Sequence, residues 1–206
     1  MTITRPGKIV CVGRNYRDHA KEMGNDVPKE PLIFLKPSSS MIATGEAIVL
    51  PSQSTQVEHE GEIGVVIGKT LRRASSAEAR KGVSKIIAAN DVTARDLQRS
   101  DSQWTRAKGF DTFCPLGEPG DPPDDLDNLT VVTRVNGVER QRGRGSDMVF
   151  SIPDVLAYVS HIMTLEPGDL VLTGSPAGVG KLSPGDEVEV EVLGVSRVRN
   201  PVTAEA

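Results

Sequence analysis

The sequence predicts a single domain that combines many short β-strands with a few helices. Its 206 residues suit one domain with a sizeable apolar core. Short aliphatic and β-branched runs end at Gly or Pro, and Asn136-Gly137 between two alternating segments is the strongest hairpin signal in the chain. Helix-starting signals occur at Ser75 and Ser151. Because no repeat, low-complexity tract or linker interrupts this pattern, we expect residues 1–206 to form one domain.

Composition argues against several classes of protein. Hydrophobic residues make up 37% of the chain and charged residues 25%, which is ordinary for a globular protein in water. A net charge of −4 without a basic block argues against nucleic-acid binding. There is neither an apolar run of membrane-spanning length nor a secretory signal pattern. Since Cys11 and Cys114 have no CxxC spacing, we expect reduced thiols in a cytoplasmic protein that binds no membrane.

The N-terminal half is predicted to be rich in short strands. Strands are expected at residues 9–12, 32–35, 47–50, 57–68 and 88–90, with one or two helical turns after the first. Ser75 and Glu78 have the spacing of a capping box, which indicates the start of a helix. That helix is expected to continue through an apolar stripe at helical spacing: Ala79, Val83, Ile86 and Ile87.

The C-terminal half is predicted to contain a hairpin, a helix and an amphipathic strand. The hairpin joins residues 130–135 to residues 138–141. Ser151 begins a helix with Pro153 in its first turn. Its core-facing stripe is expected to be Val155, Leu156, Val159, Ile162 and Met163. Residues 187–192 alternate acids with valines, so their valines should face the core and their acids water.

His19 and Glu22 are candidates for a general base. Residues three apart lie on the same face of a helix, so the carboxylate can orient the imidazole ring and stabilise its charge. Such a pair is common in proton-transferring sites. An exposed helix that carries an incidental His and Glu has the same spacing.

The acidic segment at residues 57–68, VEHEGEIGVVIG, is a candidate metal site. In a strand, Glu58, Glu60 and Glu62 share one face. Carboxylates in a row repel one another, and a divalent cation held by oxygens would relieve that repulsion. A solvated edge strand with acidic residues that prevent aggregation is the alternative interpretation.

Asp91 adds a third carboxylate after a strand with a buried pattern. Together with Glu60 and Glu62 it would complete an oxygen-only set suited to Mg²⁺ or Mn²⁺. A turn or helix cap is the alternative for Asp91 alone. Downstream, residues 103–115 concentrate Trp104, Phe110 and Phe113 among charged residues. This composition indicates a pocket wall, or else an aromatic cluster that anchors a surface loop.

Residues 175–182, SPAGVGKL, come close to a nucleotide-binding P-loop. Ser175 replaces its first glycine, and Leu182 replaces the Ser or Thr that would hold Mg²⁺. The chain also has no GxSxG nucleophile elbow. Neither an NTPase nor an α/β-hydrolase is supported.

The chain resembles the fumarylacetoacetate hydrolase superfamily in six segments that follow the same order. These are KIVCVGRNYRDHAKEM, KPSSS, VEHEGEIGVVIG, NDVTARDLQ, QWTRAKGFDTFCPLG and MTLEPGDLVLTGSPAGVG. The resemblance spans residues 8–202 and is greatest for the acylpyruvate hydrolase branch. It implies an α+β fold, a mixed rolled β-sandwich with a few peripheral helices, usually found as a homodimer. In several members the segment that corresponds to His19 is a mobile lid.

The resemblance also implies roles for individual residues. Glu60, Glu62 and Asp91 would ligate Mg²⁺ or Mn²⁺, whereas Glu58 does not match a ligand position. His19 and Glu22 would be the catalytic dyad. The active-site lysine would be Lys108, and the substrate carboxylate would be held by Arg95, Gln98 and Thr173.

The function implied is metal-dependent hydrolysis of a carbon–carbon bond in a 2,4-dioxo acid of the acylpyruvate or fumarylpyruvate type. His19 would activate a water, and the cation with Lys108 would stabilise a pyruvate enolate. Because loss of CO₂ from oxaloacetate forms the same enolate, a decarboxylase or isomerase of 2-oxo dicarboxylates in aromatic catabolism is the alternative. A non-catalytic protein that binds a metal or an oxo acid is a third possibility.

Overall fold

A computed structural model describes residues 5–22, 24 and 26–205, which form fifteen strands and five α-helices. The strands are β1 (Ile9–Gly13), β2 (Leu32–Lys36), β3 (Met41–Ile42), β4 (Ile48–Leu50), β5 (Val57–His59), β6 (Gly61–Ile67), β7 (Val83–Asn90), β8 (Thr93–Ala94), β9 (Cys114–Pro115), β10 (Thr130–Val135), β11 (Val138–Arg144), β12 (Leu170–Leu172), β13 (Gly180–Lys181), β14 (Glu187–Val192) and β15 (Ser196–Ala204). The helices are α1 (Arg17–Glu22), α2 (Ser76–Arg80), α3 (Arg95–Ser100), α4 (Thr105–Lys108) and α5 (Ile152–Ile162). No helix in these ranges has the length and apolar character needed to cross a bilayer.

Two five-stranded mixed sheets form the body of the fold. One has the order β2-β1-β12-β6-β7 and the other β11-β10-β14-β15-β4. Within them β1 pairs with β12, and β15 with β4, in parallel, and the remaining neighbours are antiparallel. A single apolar cluster contains Ile63 and Ile86 from the first sheet together with Val131 and Val190 from the second. The sheets therefore pack face to face, which confirms the predicted α+β class.

The predicted helix after Ser75 is much shorter than expected. Its capping box is present, but α2 ends at Arg80, and the expected stripe residues Val83, Ile86 and Ile87 lie in β7. Ile86 packs between the two sheets, whereas Ile87 packs on the opposite face of its own sheet. Consecutive side chains on opposite faces are the mark of a strand, and pairing with β6 decides the conformation of this β-branched segment.

The C-terminal elements agree with the sequence except at one position. Asn136 and Gly137 have φ of 53° and 78°, as a tight hairpin turn between β10 and β11 requires. Ser151 caps α5 by accepting a hydrogen bond from the backbone N–H of Asp154. Ile162 was expected in the core but, at the last position of the helix, is 54% exposed.

The acidic segment is interrupted at Glu60 rather than forming one strand. β5 belongs to a three-stranded sheet with β8 and β13, whereas β6 belongs to the first large sheet. At the break, side chains take over as acceptors: Asn90 Oδ1 for the N–H of Glu60 at 2.9 Å, and Gln141 Oε1 for the N–H of Gly61 at 3.0 Å. The segment therefore crosses between sheets at the place where its glutamates lie.

Candidate active site

Three predicted ligands, Glu60, Glu62 and Asp91, form one buried cluster. Strand pairing sets Glu62 opposite Ala89, and the Asp91 N–H donates to the Glu60 carbonyl at 2.8 Å. One carboxylate oxygen from each side chain lies within 4.8 Å of the other two. All three residues are at most 5% exposed, so the solvated edge-strand interpretation is wrong for Glu60 and Glu62.

Lysine and arginine side chains surround two of these carboxylates. Lys108 Nζ donates to Glu60 at 2.8 Å and also to Asp91, which a second lysine, Lys36, contacts at 2.7 Å. Arg95 donates to Glu60 and, at 2.8 Å, to Glu58. Glu58 thus contacts the site through Arg95 and lies outside the three-carboxylate cluster.

Glu60 and Glu62 have opposite electrostatic environments. Burial raises the pKa of Glu60, but Lys108 and Arg95 outweigh it and bring the pKa well below its usual range. The pKa of Glu62 is well above its usual range, first because of burial and then because of Asp91 and Glu60. Among the side chains and amides that the structure describes, its hydrogen-bond donor is the Gly174 N–H at 2.7 Å. Within the described ranges, no lysine or arginine side chain forms an ion pair with Glu62.

The cluster fits a hard divalent cation. Its three donors are oxygens, and Glu62 is a buried carboxylate flanked by two others, an arrangement that a cation would stabilise. Three protein ligands leave coordination positions for water or substrate, as Mg²⁺ and Mn²⁺ commonly require. The donor chemistry therefore agrees with the predicted metal, and the geometry does not distinguish Mg²⁺ from Mn²⁺.

His19 and Glu22 lie in contact on α1 beside this cluster. The His19 Nδ1 atom is 3.2 Å from a Glu22 carboxylate oxygen, and His19 is 5% exposed. Glu22 also accepts a hydrogen bond from the backbone N–H of Gly178 at 3.1 Å. With Nδ1 engaged, Nε2 is left for a reactant in the cavity, which His19 lines. The catalytic role of the pair remains a prediction.

Gly178 connects the dyad to the loop that superficially resembles a P-loop. Its φ is +99°, and a Cβ atom there would come within 2.0 Å of the Arg140 carbonyl oxygen. Gly178→Ala is therefore expected to displace this loop, loosen Glu22 and lower kcat by about tenfold to a hundredfold, since small displacements of catalytic groups have costs of that size.

Steady-state kinetics and Mn²⁺ titration test this prediction together. Metal affinity should be unchanged, because the loop does not contribute a ligand. Gly185→Ala is a matched control, since Gly185 has a φ of +91° and no atom within 4 Å of its Cβ position. Equal loss of kcat in both variants would show that left-handed strain alone, rather than displacement of Glu22, lowers the rate.

The predicted substrate-binding residues differ in their positions. Arg95 and Gln98 line the cavity, and Arg95 Nη1 donates to the side-chain Oε1 atom of Gln98, which leaves the side-chain NH₂ group of Gln98 for a ligand. Thr173 is fully buried, and its hydroxyl donates to the Ile63 carbonyl at 2.8 Å. The structure thus brings Arg95 and Gln98 to the cavity. The Thr173 hydroxyl is instead bonded to a backbone carbonyl, so the role of Thr173 in substrate binding remains a prediction.

The cavity beside the three carboxylates has a volume of about 50 Å³. Trp104 contributes to its wall with Phe34, the two rings meeting edge to face at 5.3 Å. Phe110 and Phe113 pack instead in a core cluster. The pocket-wall interpretation of residues 103–115 therefore holds for Trp104 and Lys108, and the aromatic-cluster interpretation holds for the two phenylalanines.

Sequence reasoning missed three charged or polar residues at the site. Lys36 contacts Asp91, and Arg14 and Ser175 line the cavity. The position of Lys36, at the end of an apolar strand and directly before Pro37, could have indicated that its side chain has a functional role. Arg14 and Ser175 occur in motifs that were quoted without a role.

Curated relatives extend over almost the whole chain. An oxaloacetate decarboxylase of Dictyostelium discoideum mitochondria is 44% identical over 195 residues, covering 91% of this chain and 89% of the relative. A mitochondrial oxaloacetate tautomerase of Arabidopsis thaliana is 44% identical over 198 residues, covering 93% and 89%. These relatives support the alternative, action on a 2-oxo dicarboxylate, better than the expected hydrolysis.

A solved structure and a family model complete the comparison. Fumarylpyruvate hydrolase of Pseudomonas aeruginosa, in complex with Mn²⁺ and pyruvate, superposes with a TM-score of 0.90 at 29% identity, covering 97% of this chain and 91% of that one. The model of the fumarylacetoacetate hydrolase C-terminal domain matches residues 8–203. By the extent of this match, the chain belongs to the fumarylacetoacetate hydrolase family.

Proposed function

We propose that this protein is a divalent-metal-dependent tautomerase of oxaloacetate or a closely related 2-oxo dicarboxylate. The observation that carries the proposal is the buried cluster of Glu60, Glu62 and Asp91 in one cavity with His19 and Lys108. Enol and keto forms of a 2-oxo acid interconvert through an enolate, so the site must move a proton at C3 and stabilise negative charge at the 2-oxo oxygen. The names of the two curated relatives support oxaloacetate as the substrate.

The chain's own residues divide the work of such a reaction. His19, oriented by Glu22, would take the proton from C3 through Nε2 and return it on reversal. The Gln98 amide would donate to the C1 carboxylate, and Lys108 would place its positive charge near the developing enolate oxygen. A divalent cation held by the three carboxylates would supply Lewis acidity that polarises the 2-oxo group.

Decarboxylation belongs to the same proposal because the intermediate is shared. When the C3–C4 bond of oxaloacetate breaks, CO₂ leaves and the electron pair of that bond stays on C3, which forms the enolate of pyruvate. The enolate then takes a proton from water at C3. No base is needed to start this step. The balance between tautomerisation and decarboxylation therefore depends on whether the C4 carboxylate is held in place.

Hydrolysis of a 2,4-dioxo acid is the second candidate. It is supported by the His19–Glu22 contact, since a paired imidazole can deprotonate water for attack on a 4-carbonyl. The resemblance to a fumarylpyruvate hydrolase that binds Mn²⁺ and pyruvate also supports it. Cleavage of the C3–C4 bond would again leave a pyruvate enolate, so the metal end of the site would serve all three reactions.

Three assays on the purified protein, stripped of metal and then reloaded with Mg²⁺ or Mn²⁺, test the proposal. The first follows the ultraviolet absorbance of enol oxaloacetate added from dry solvent, and the second follows pyruvate release through lactate dehydrogenase. The third follows loss of acetylpyruvate and fumarylpyruvate. We expect metal-dependent acceleration in the first assay. Turnover confined to the third would overturn the proposal in favour of the hydrolase.

A further inference from the structure

Arg14 lines the cavity, and none of the described residues neutralises its positive charge. Among the described cavity-lining residues, Lys108 is engaged by Glu60 and Asp91, and Arg95 by Glu60 and its neighbour Glu58. No residue in the described ranges hydrogen-bonds to the Arg14 guanidinium or forms an ion pair with it. A half-buried cation without a partner beside a polar cavity is suited to an anionic ligand.

The backbone at Arg14 is held in a conformation that its side chain disfavours. Its φ is +60°, in the left-handed region that favours glycine. The next residue, Asn15, holds the turn in place: its amide donates to the Thr173 carbonyl at 2.8 Å and the Phe150 carbonyl at 3.1 Å, and accepts from the Phe150 N–H at 2.9 Å. Strain maintained by a fully buried clamp is typical of functional positions.

We propose that Arg14 binds the second carboxylate of the substrate and makes the site selective for 2-oxo dicarboxylates. This inference rests on the proposed function, in which the Gln98 amide would donate to the C1 carboxylate and a cation held by the three carboxylates would polarise the 2-oxo group. A guanidinium matches a carboxylate with two parallel N–H donors, so it would hold the C4 end of oxaloacetate. A neutral acyl group would leave the guanidinium desolvated and unpaired, which disfavours acylpyruvates.

The test compares a diacid with a monoacid in the same variants. Arg14→Gln should raise the KM for oxaloacetate by about tenfold to a hundredfold, the range for loss of a charge-assisted pair. Its effect on competitive inhibition by pyruvate, which has no second carboxylate, should stay within about twofold. Arg14→Lys should recover part of the loss, because lysine restores the positive charge but not the two parallel N–H donors of a guanidinium. Arg17→Gln, at an exposed residue of α1, should change neither quantity.

Calorimetry separates this inference from the proposed function. Mn²⁺-loaded protein is titrated with 3,3-difluoro-oxaloacetate, which has no C3 hydrogen and cannot tautomerise, and with pyruvate. Arg14→Gln should weaken binding of the diacid alone, even if the wild-type protein turns over none of the 2-oxo acids and the proposed function fails. Equal weakening of both ligands, or no weakening of either, would overturn the role of Arg14, and circular dichroism checks that the variant is folded.

Discussion

Glu62→Gln is expected to abolish tight metal binding and to lower kcat/KM by about a thousandfold, which corresponds to about 4 kcal/mol of transition-state stabilisation. Glu62 is the member of the cluster that forms no ion pair among the described residues, so a bound cation would be its counter-charge. A neutral amide supplies one weak oxygen donor in place of an ionised carboxylate.

The same substitution should preserve the stability of the metal-free fold. Because burial and neighbouring carboxylates raise the pKa of Glu62, the metal-free native state binds its proton more tightly than the unfolded chain does. Stability from this group is complete below the ordinary carboxyl pKa and is lost as pH rises through the raised pKa. Gln imitates the protonated form, so this pH dependence should disappear in the variant.

Mn²⁺ calorimetry and urea denaturation across a pH series measure both effects. Because the pKa of Glu62 is raised, metal binding to the wild-type protein competes with its proton, so apparent affinity should increase as pH rises through that pKa, with release of a proton into the buffer. Glu58→Gln is the control, because Glu58 contacts Arg95 and lies outside the cluster. The ligand assignment is wrong if Glu62→Gln binds Mn²⁺ as tightly as the wild-type protein.

His19→Asn is expected to lower the rate of tautomerisation by about a hundredfold to ten-thousandfold, the range for loss of a general base. Metal affinity should not change, since His19 is not among the three clustered ligands. The imidazole is held by Glu22, which is itself anchored to the Gly178 N–H, so the effect on kcat should exceed the effect on KM.

The same variant distinguishes the candidate reactions. Hydrolysis needs an activated water and should be lost with His19, whereas decarboxylation of oxaloacetate starts without a base and should be largely retained. His161→Asn, at an exposed position in α5, serves as the control for loss of an imidazole. A His19→Asn protein that tautomerises oxaloacetate at the wild-type rate would show that another group moves the proton.

Interactions between residues near in sequence could be predicted from the sequence itself. The capping box at Ser75 and Glu78, the turn at Asn136-Gly137 and the contact between His19 and Glu22 each join residues at most three positions apart. Their geometry depends on local backbone conformation, which residue type and spacing determine. The helix predicted at Ile86 and Ile87 was wrong for a related reason. The segment pairs with β6, and a local spacing pattern does not contain that long-range interaction.

The sequence by itself indicated the chemistry of the candidate site: clustered carboxylate oxygens at Glu60, Glu62 and Asp91 beside a paired imidazole. Only the tertiary structure decided which charges meet there. Lys36 contacts Asp91 across 55 positions, and Glu22 meets Gly178 across 156. Such contacts follow from sheet order and from the crossing between sheets at Glu60, neither of which has a signal in local spacing. For the same reason, only the folded chain shows that Arg14 lines the cavity without an ion-pair partner among the described residues.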